Sequence, residues 1–411
     1  MKAQRCKGTR DLSPAEMGTF RLIESIFRDS CLKWGYEEVR TPTLEYLHLF
    51  TSTGTLTPSR LHKVYSFLDW DGWSGERVVL RPDGTIPIAR LFIDTMADKE
   101  LAKLFYVANV FSFEETGTEA REKWQCGAEL IGAGGSLADI ELIIMAMEVL
   151  KKLGIDCVEL KLSHAGLIKA LLIKFGISHA DQTKIFDQIL DGDIEALAKL
   201  SPEKTELGKL LAPLFDLKGK APGFLKNLKS MFNRDLPELE LPLNNFIGTV
   251  DLLESLGYDY QIDIASGRGF EYYTGMMFQL LANGQHIGGG GRYDDLIPLL
   301  GGKPTPASGF ALYLDYLMNL VKPLASAKPS SQLVLVKSET GALQEALNMI
   351  NQLREANYQA ELHLGQERTD ERWELNIQTR PPSFILVDRA ADKKYEAQTT
   401  DVILDLLEKL K

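Results

Sequence analysis

The chain has 411 residues, 45% apolar and 25% charged, with a formal net charge of −11. That length suits roughly two to three domains of about 150 residues, and the acidic balance argues against a broad nucleic-acid footprint, whose affinity rests on Lys and Arg neutralising phosphates. No apolar run reaches the ~18 residues of a membrane span, the opening segment lacks a signal peptide's apolar region, and Cys6, Cys31, Cys126 and Cys157 are too scattered for a disulfide framework or a zinc site, so a cytoplasmic protein with reduced thiols and no metal is expected.

Residues 1 to about 322 mix helical and strand patterns. "VVLR" (78–81) reads as a strand, "PDGT" as a turn, and a helix starts near Ile86. Asp83 and Thr85 stand at the mouth of that turn. Either they cap the helix or they receive an ammonium group, and the fragment leaves the two readings equal. Two strands follow, "LFYVANVFSF" (104–113) and "EKWQCGAELIG" (122–132), around a polar loop. Alternation places Gln125, Gly127 and Glu129 on one face of the second strand. Burying that glutamine and glutamate is costly without a polar ligand. The alternative is a solvated face, with Trp124, Cys126 and Ala128 in the core.

About 165–245 reads as a helical insertion: "GLIKALLIKF" (166–175) has helical spacing, "SHAD" (178–181) fits a capping box, and "SPEK" (201–204) sets proline after an N-cap serine. In "SGRGFEYYTGMMFQLLANGQHIGGGGRYDDL" (266–296), "MMFQLLA" (276–282) is a strand and Asn283-Gly284 a type I′ hairpin turn. The glycines 288–291 weaken the returning strand, which fits a ligand or another backbone at close range. A buried arginine needs an anion. For Arg292 that is Asp294 or Asp295; for Arg268, between two glycines, a ligand carboxylate or phosphate. Of Tyr272 and Tyr273, a strand lets only one face inward. "VKPLASAKPSSQ" (321–332) has linker composition. Beyond it, strands at 333–337, 358–364 and 383–388 and helices at 341–356 and 401–410 predict a small α/β domain, with 10 Lys/Arg against 14 Asp/Glu over 331–411.

Together these segments resemble the core of a class II aminoacyl-tRNA synthetase, and specifically the histidyl-tRNA synthetase family. "GTRDLSP" (8–14) resembles that family's start, and "WGYEEVRTPTLEYLHLF" (34–50) its first motif, with Pro42 at the dimer-building position. "LRPDGT" (80–85) resembles its amino-acid-binding turn, "GRGFEYYTG" (267–275) its histidine signature, and 289–317 its closing strands and third motif. The resemblance implies an α+β fold: an antiparallel-sheet core over 1–322 with the helical insertion, a linker at 323–332, and 333–411 as a shortened anticodon-binding domain. It also implies a histidine pocket. The ammonium would lie near Asp83 and Thr85 with Gln125 close by. Glu129 and Tyr272 or Tyr273 would read the imidazole, whose two ring nitrogens an acid and a phenol can satisfy. Arg268 would face the carboxylate. Asp83 replaces a glutamate, shortening reach by one methylene.

Two departures bear on activity. Amino-acid activation needs cations placed against developing phosphate charge. The family's second motif supplies an arginine where this chain has Ser112, and its third motif supplies one where this chain has Tyr316. Losing one such donor costs roughly 10²–10³ in rate. Arg121 remains as a residual phosphate-binding candidate. With the acidic tail, this pattern resembles the paralogous regulatory subunits of ATP phosphoribosyltransferase. That resemblance implies a chain with no catalytic residues and no cofactor. It would form dimers within a hetero-octamer with a short-form catalytic subunit, and would carry feedback inhibition by L-histidine to the first step of histidine biosynthesis. Neither tRNA nor a membrane would be a partner. The alternative is an active histidyl-tRNA synthetase (histidine–tRNA ligase), supported by Arg121 and Arg268.

Overall fold

The first helix, α1 (Pro14–Lys33), starts on a capping box: the Ser13 side chain accepts from the Glu16 amide, the Glu16 carboxylate accepts from the Ser13 amide, and Pro14 opens the first turn. Its buried residues Phe20, Ile23, Phe27 and Cys31 recur at helical spacing, so one stripe faces the core. The computed structural model describes residues 3–54, 56, 58–70, 75–113, 120–174, 225–226, 229, 240–263, 272–322, 333–365 and 371–410. Two compact units divide it, Met1–Val321 and Lys322–Lys411.

In the first unit the strands are β1 (Glu37–Glu38), β2 (Leu44–Tyr46), β3 (Ser66–Trp70), β4 (Gly75–Leu80), β5 (Ala102–Phe111), β6 (Glu122–Ile131), β7 (Val158–His164), β8 (Gln261–Ile262), β9 (Met276–Ala282), β10 (Gln285–Arg292) and β11 (Ala307–Tyr313). One sheet runs β1-β5-β6-β11-β10-β9-β7-β8. Its interior pairs are antiparallel, and β1–β5 and β7–β8 at the edges are parallel. A small antiparallel sheet orders β2-β4-β3. The helices are α1, α2 (Leu47–Ser52), α3 (Thr85–Thr95), α4 (Ser136–Lys152), α5 (Ala165–Lys174), α6 (Glu240–Ser255), α7 (Leu296–Leu299) and α8 (Leu314–Leu320).

Register decides which face does what. Phe105, Ala128 and Phe310 are lateral neighbours on β5, β6 and β11, and Phe27 of α1 packs edge-on against Phe105 and Phe310. That face is core, as alternation required of Cys126 and Ala128. The opposite face carries Gln125, Gly127 and Glu129, with Gly309 and Ala311 beside them. The Asn283-Gly284 turn forms with both residues at positive φ, 52° and 73°. The four glycines face neighbouring strands: a methyl on Gly290 would stand 2.1 Å from the Gly309 carbonyl, and one on Gly289 would stand 2.5 Å from that of Phe278. Close backbone approach is the reason for the run.

Of the helical insertion, α5 and α6 are described; the caps predicted at Ser178 and Ser201 lie outside the described residues, as does the 323–332 segment. The second unit has a sheet ordered β13-β12-β14-β15-β16, from β12 (Leu333–Ser338), β13 (Gln359–Leu362), β14 (Trp373–Ile377), β15 (Phe384–Asp388) and β16 (Lys393–Ala397). Here β12 is parallel to β13 and β14, and the other pairs are antiparallel. Helices α9 (Leu343–Glu355) and α10 (Thr400–Lys409) bury Val334, Val336, Trp373, Leu375 and Leu386. Two strands, β14 and β16, were not expected.

Candidate functional site

The site is built around a carboxyl group that cannot reach water. Glu129 is 1% exposed. Its Oε1 accepts from Thr85 Oγ1 at 2.7 Å, and its Oε2 accepts from the Tyr293 hydroxyl. Gly309 lies opposite it on β11, and the absence of a side chain there makes room for the carboxyl group. Burial pushes the Glu129 carboxyl up to about 8, against the two hydroxyl hydrogen bonds that favour ionisation.

Asp83 occupies the turn before α3. Its Oδ1 accepts from the Ile86 amide at 2.8 Å, and its Oδ2 lies 3.5 Å from the Tyr272 hydroxyl. The side chain therefore both caps α3 and faces the pocket. Burial raises its carboxyl group above the usual range, partly offset by hydrogen bonds from Ile86 and Thr85. Gln125 lines the same cavity.

Tyr272 and Tyr273 correct the one-inward expectation. They precede β9 in a turn and loop, both are buried, and both line the cavity. Their rings lie 5.2 Å apart, and Tyr293 meets Tyr272 edge-on at 5.5 Å. Tyr313 closes another side and packs against Tyr316 at 6.1 Å. The free space among these groups is about 30 Å³, room for a water or two.

Sequence reasoning missed Tyr293 as a pocket residue. Its signal was its place at the end of the glycine strand, since a buried phenol requires a polar partner. Arg292 pairs as expected with Asp294, at 3.1 Å, but mainly with Asp139 of α4 at 2.6 Å. Its guanidinium also donates to the carbonyls of Ala133 and Gly135. Arg268 lies outside the described residues. Arg121 sets its guanidinium over Phe113, 4.7 Å from the ring centroid, and its backbone carbonyl accepts from the Ser112 amide. Asp315 accepts from Arg10 at 2.7 Å and from the Trp124 amide at 2.6 Å.

A larger cavity of about 540 Å³ lies among α4, the start of β7 and the turn that follows α6, with Ile144, Met147, Val158 and Tyr258 in its lining. It shares no lining residue with the tyrosine pocket and holds no buried acid comparable to Glu129. Among the described residues no group of His, Cys, Asp and Glu is gathered as a metal ion would require, and no helix is long and apolar enough to cross a membrane.

The antiparallel sheet, with its buried acid between an acidic turn and a tyrosine cluster, defines a class II aminoacyl-tRNA synthetase-like protein. The family model described as histidyl-tRNA synthetase matches residues 8–317. An ATP phosphoribosyltransferase regulatory subunit of Dehalococcoides mccartyi strain 195 is 52% identical over 98% of this chain and 98% of that protein. A histidine–tRNA ligase of Methanocaldococcus jannaschii is 33% identical over 88% of this chain and 86% of the ligase. A solved structure titled as an ATP phosphoribosyltransferase regulatory subunit/histidyl-tRNA synthetase from Bacillus halodurans superposes with a TM-score of 0.77 at 24% identity, covering 92% of this chain and 98% of its own, and shows the fold alone. The chain belongs to the histidyl-tRNA synthetase family, in its branch of ATP phosphoribosyltransferase regulatory subunits.

Proposed function

We propose that this chain is a non-catalytic regulatory subunit that binds L-histidine in the tyrosine pocket and passes feedback inhibition to a short-form ATP phosphoribosyltransferase catalytic subunit in the cytoplasm. It works as a dimer within a hetero-octamer, at the first step of histidine biosynthesis. One contrast carries the reading. The amino-acid side is equipped with Asp83, Thr85, Gln125, Glu129, Tyr272, Tyr273 and Tyr293. On the nucleotide side, neutral Ser112 and Tyr316 stand where resemblance calls for arginines, and Tyr316 packs on a pocket tyrosine.

In this reading the ammonium lies against Asp83 and Thr85, near Gln125. The imidazole meets Glu129 and a phenol of the tyrosine cluster. Arg268 faces the carboxylate, with Arg121 left as a residual phosphate contact. Without the two arginines that Ser112 and Tyr316 replace, the α-phosphate's developing charge loses most of its support, so the bound amino acid is sensed and not activated.

The test has two parts. The purified chain binds histidine in calorimetry but supports no histidine-dependent exchange of pyrophosphate into ATP. Mixed with a short-form catalytic subunit, it switches on phosphoribosyl transfer, and histidine suppresses that activity. Robust exchange by the chain alone would make it a working ligase and defeat the proposal.

A further inference from the structure

Arg81 is 4% exposed, and its side chain spends its donors on neutral oxygens. Nε donates to the Asn109 carbonyl at 2.8 Å and Nη2 to Asn109 Oδ1 at 3.0 Å. Nη1 donates to the carbonyls of Thr41 and Pro42, at 3.0 and 3.2 Å, and to Thr41 Oγ1 at 3.2 Å. Its main chain repeats the connection: the amide donates to the Thr43 carbonyl, and the carbonyl accepts from the Phe111 amide, both at 3.0 Å. A second strut runs alongside. Glu45 of β2, its side chain 5% exposed, takes a two-pronged bond from Arg90 of α3, at 2.8 and 3.0 Å.

These struts join two features. On one side stands the turn that sets Asp83 and Thr85 in the pocket. On the other stands an apolar strip on the small sheet: Leu44, Tyr46 and Phe67 are each nearly half exposed, and Tyr46 and Phe67 flank Val78 on the same face. A rigid planar fork tolerates little displacement. Detaching it would strand buried donors, at a greater cost than moving both segments together. These bonds tie the turn and the strip to each other.

We propose that Arg81 and the Glu45–Arg90 pair are positioning residues that link the pocket turn to the Leu44–Tyr46–Phe67 strip, so that an amino acid held at Asp83 and Thr85 orders the strip. Linkage makes the effect reciprocal: whatever orders the strip tightens the pocket. The ligand arm of the test rests on the histidine reading above; the coupling itself does not.

Hydrogen–deuterium exchange on the intact chain tests it. Saturating histidine slows exchange over 41–46 by about fivefold or more, the low end of ordinary coupling. Arg81→Lys keeps the charge but loses the fork; it binds histidine more weakly and loses the ligand-dependent slowing over 41–46. If Arg81 were merely structural, the substitution would speed exchange across the sheet, including 276–292, without erasing that difference. Should Arg81→Lys fail to fold, Glu45→Gln carries the same expectation through the second strut. A ligand-free arm separates the two readings: Asp83→Ala, which removes the acceptor for the Ile86 amide, speeds exchange over 41–46 and leaves the second unit's 373–377 unchanged. Histidine that binds without altering the strip overturns the proposal, as does an indifferent strip in Asp83→Ala. Failure of wild type to bind histidine sinks the pocket's assignment, and the Asp83→Ala arm still decides the coupling.

Discussion

Gly309 and Glu129 face each other across the β11–β6 ladder, and the space of one residue's missing side chain holds the other's carboxyl group. A methyl on Gly309 would stand 1.8 Å from Glu129 Oε2. Gly309→Ala therefore displaces the acid or bends β11. The expected cost is about 1–3 kcal/mol of unfolding free energy, as for other overpacked interiors, read from urea midpoints. An unshifted midpoint would mean the carboxyl group has another place to go.

Glu129→Gln preserves shape and removes an ionisable group. The amide can accept from only one of the two hydroxyls, so the other must turn and accept from its NH₂. The fold is retained and histidine affinity drops about 10-fold, the equivalent of one hydrogen bond. Calorimetry measures it. An unchanged affinity would place the imidazole against other side chains.

The same acid gives stability a pH dependence of known sign. Its carboxyl group is raised from 4.5 to about 8 on folding. Between those values the folded chain holds a proton that the unfolded chain has released, so this group's contribution weakens as pH rises through the window. Glu129→Gln lacks the effect. Its unfolding free energy relative to wild type should therefore rise from about pH 5 to about pH 8. A flat difference in parallel denaturation curves would show that Glu129 ionises freely in the folded chain.

Asp139 and Arg292 form a buried pair, with side chains 3% and 7% exposed. Arg292 also donates to the carbonyls of Ala133 and Gly135, fixing the turn before α4. Asp139→Leu leaves that guanidinium, among the described residues, with the outlying Asp294 as its counter-charge. The expected loss is about 3–5 kcal/mol, seen as a lower thermal midpoint. A loss under about 1 kcal/mol would mean that Asp294 suffices.

Much of this was readable in the residues. The period-two pattern of "EKWQCGAELI" put Glu129 and Gln125 together on one face, and Asn283-Gly284 named its own turn. What failed was local pattern without its context. "WELNI" alternates as a strand should, with Trp373, Leu375 and Ile377 inward, but the polar residues between them masked it. In "KKYEA" all but Ala397 point to solvent or lie half-buried, as at a sheet edge, so it carried little signal. Tyr272 and Tyr273 were judged by strand alternation in a segment that is not a strand. Asp139 could not be found as the partner of Arg292, because 153 residues of chain separate them and only the sheet brings them together.

The crowded tyrosine cavity has a quantitative consequence. The rings of Tyr272, Tyr273 and Tyr293 pack on one another, and that arrangement competes with any amino acid for the same space. Half-occupancy then falls at a concentration raised in inverse proportion to the open fraction. A pocket of this kind works as a threshold detector: substitutions that loosen the ring packing should lower the threshold without adding a single contact to the guest.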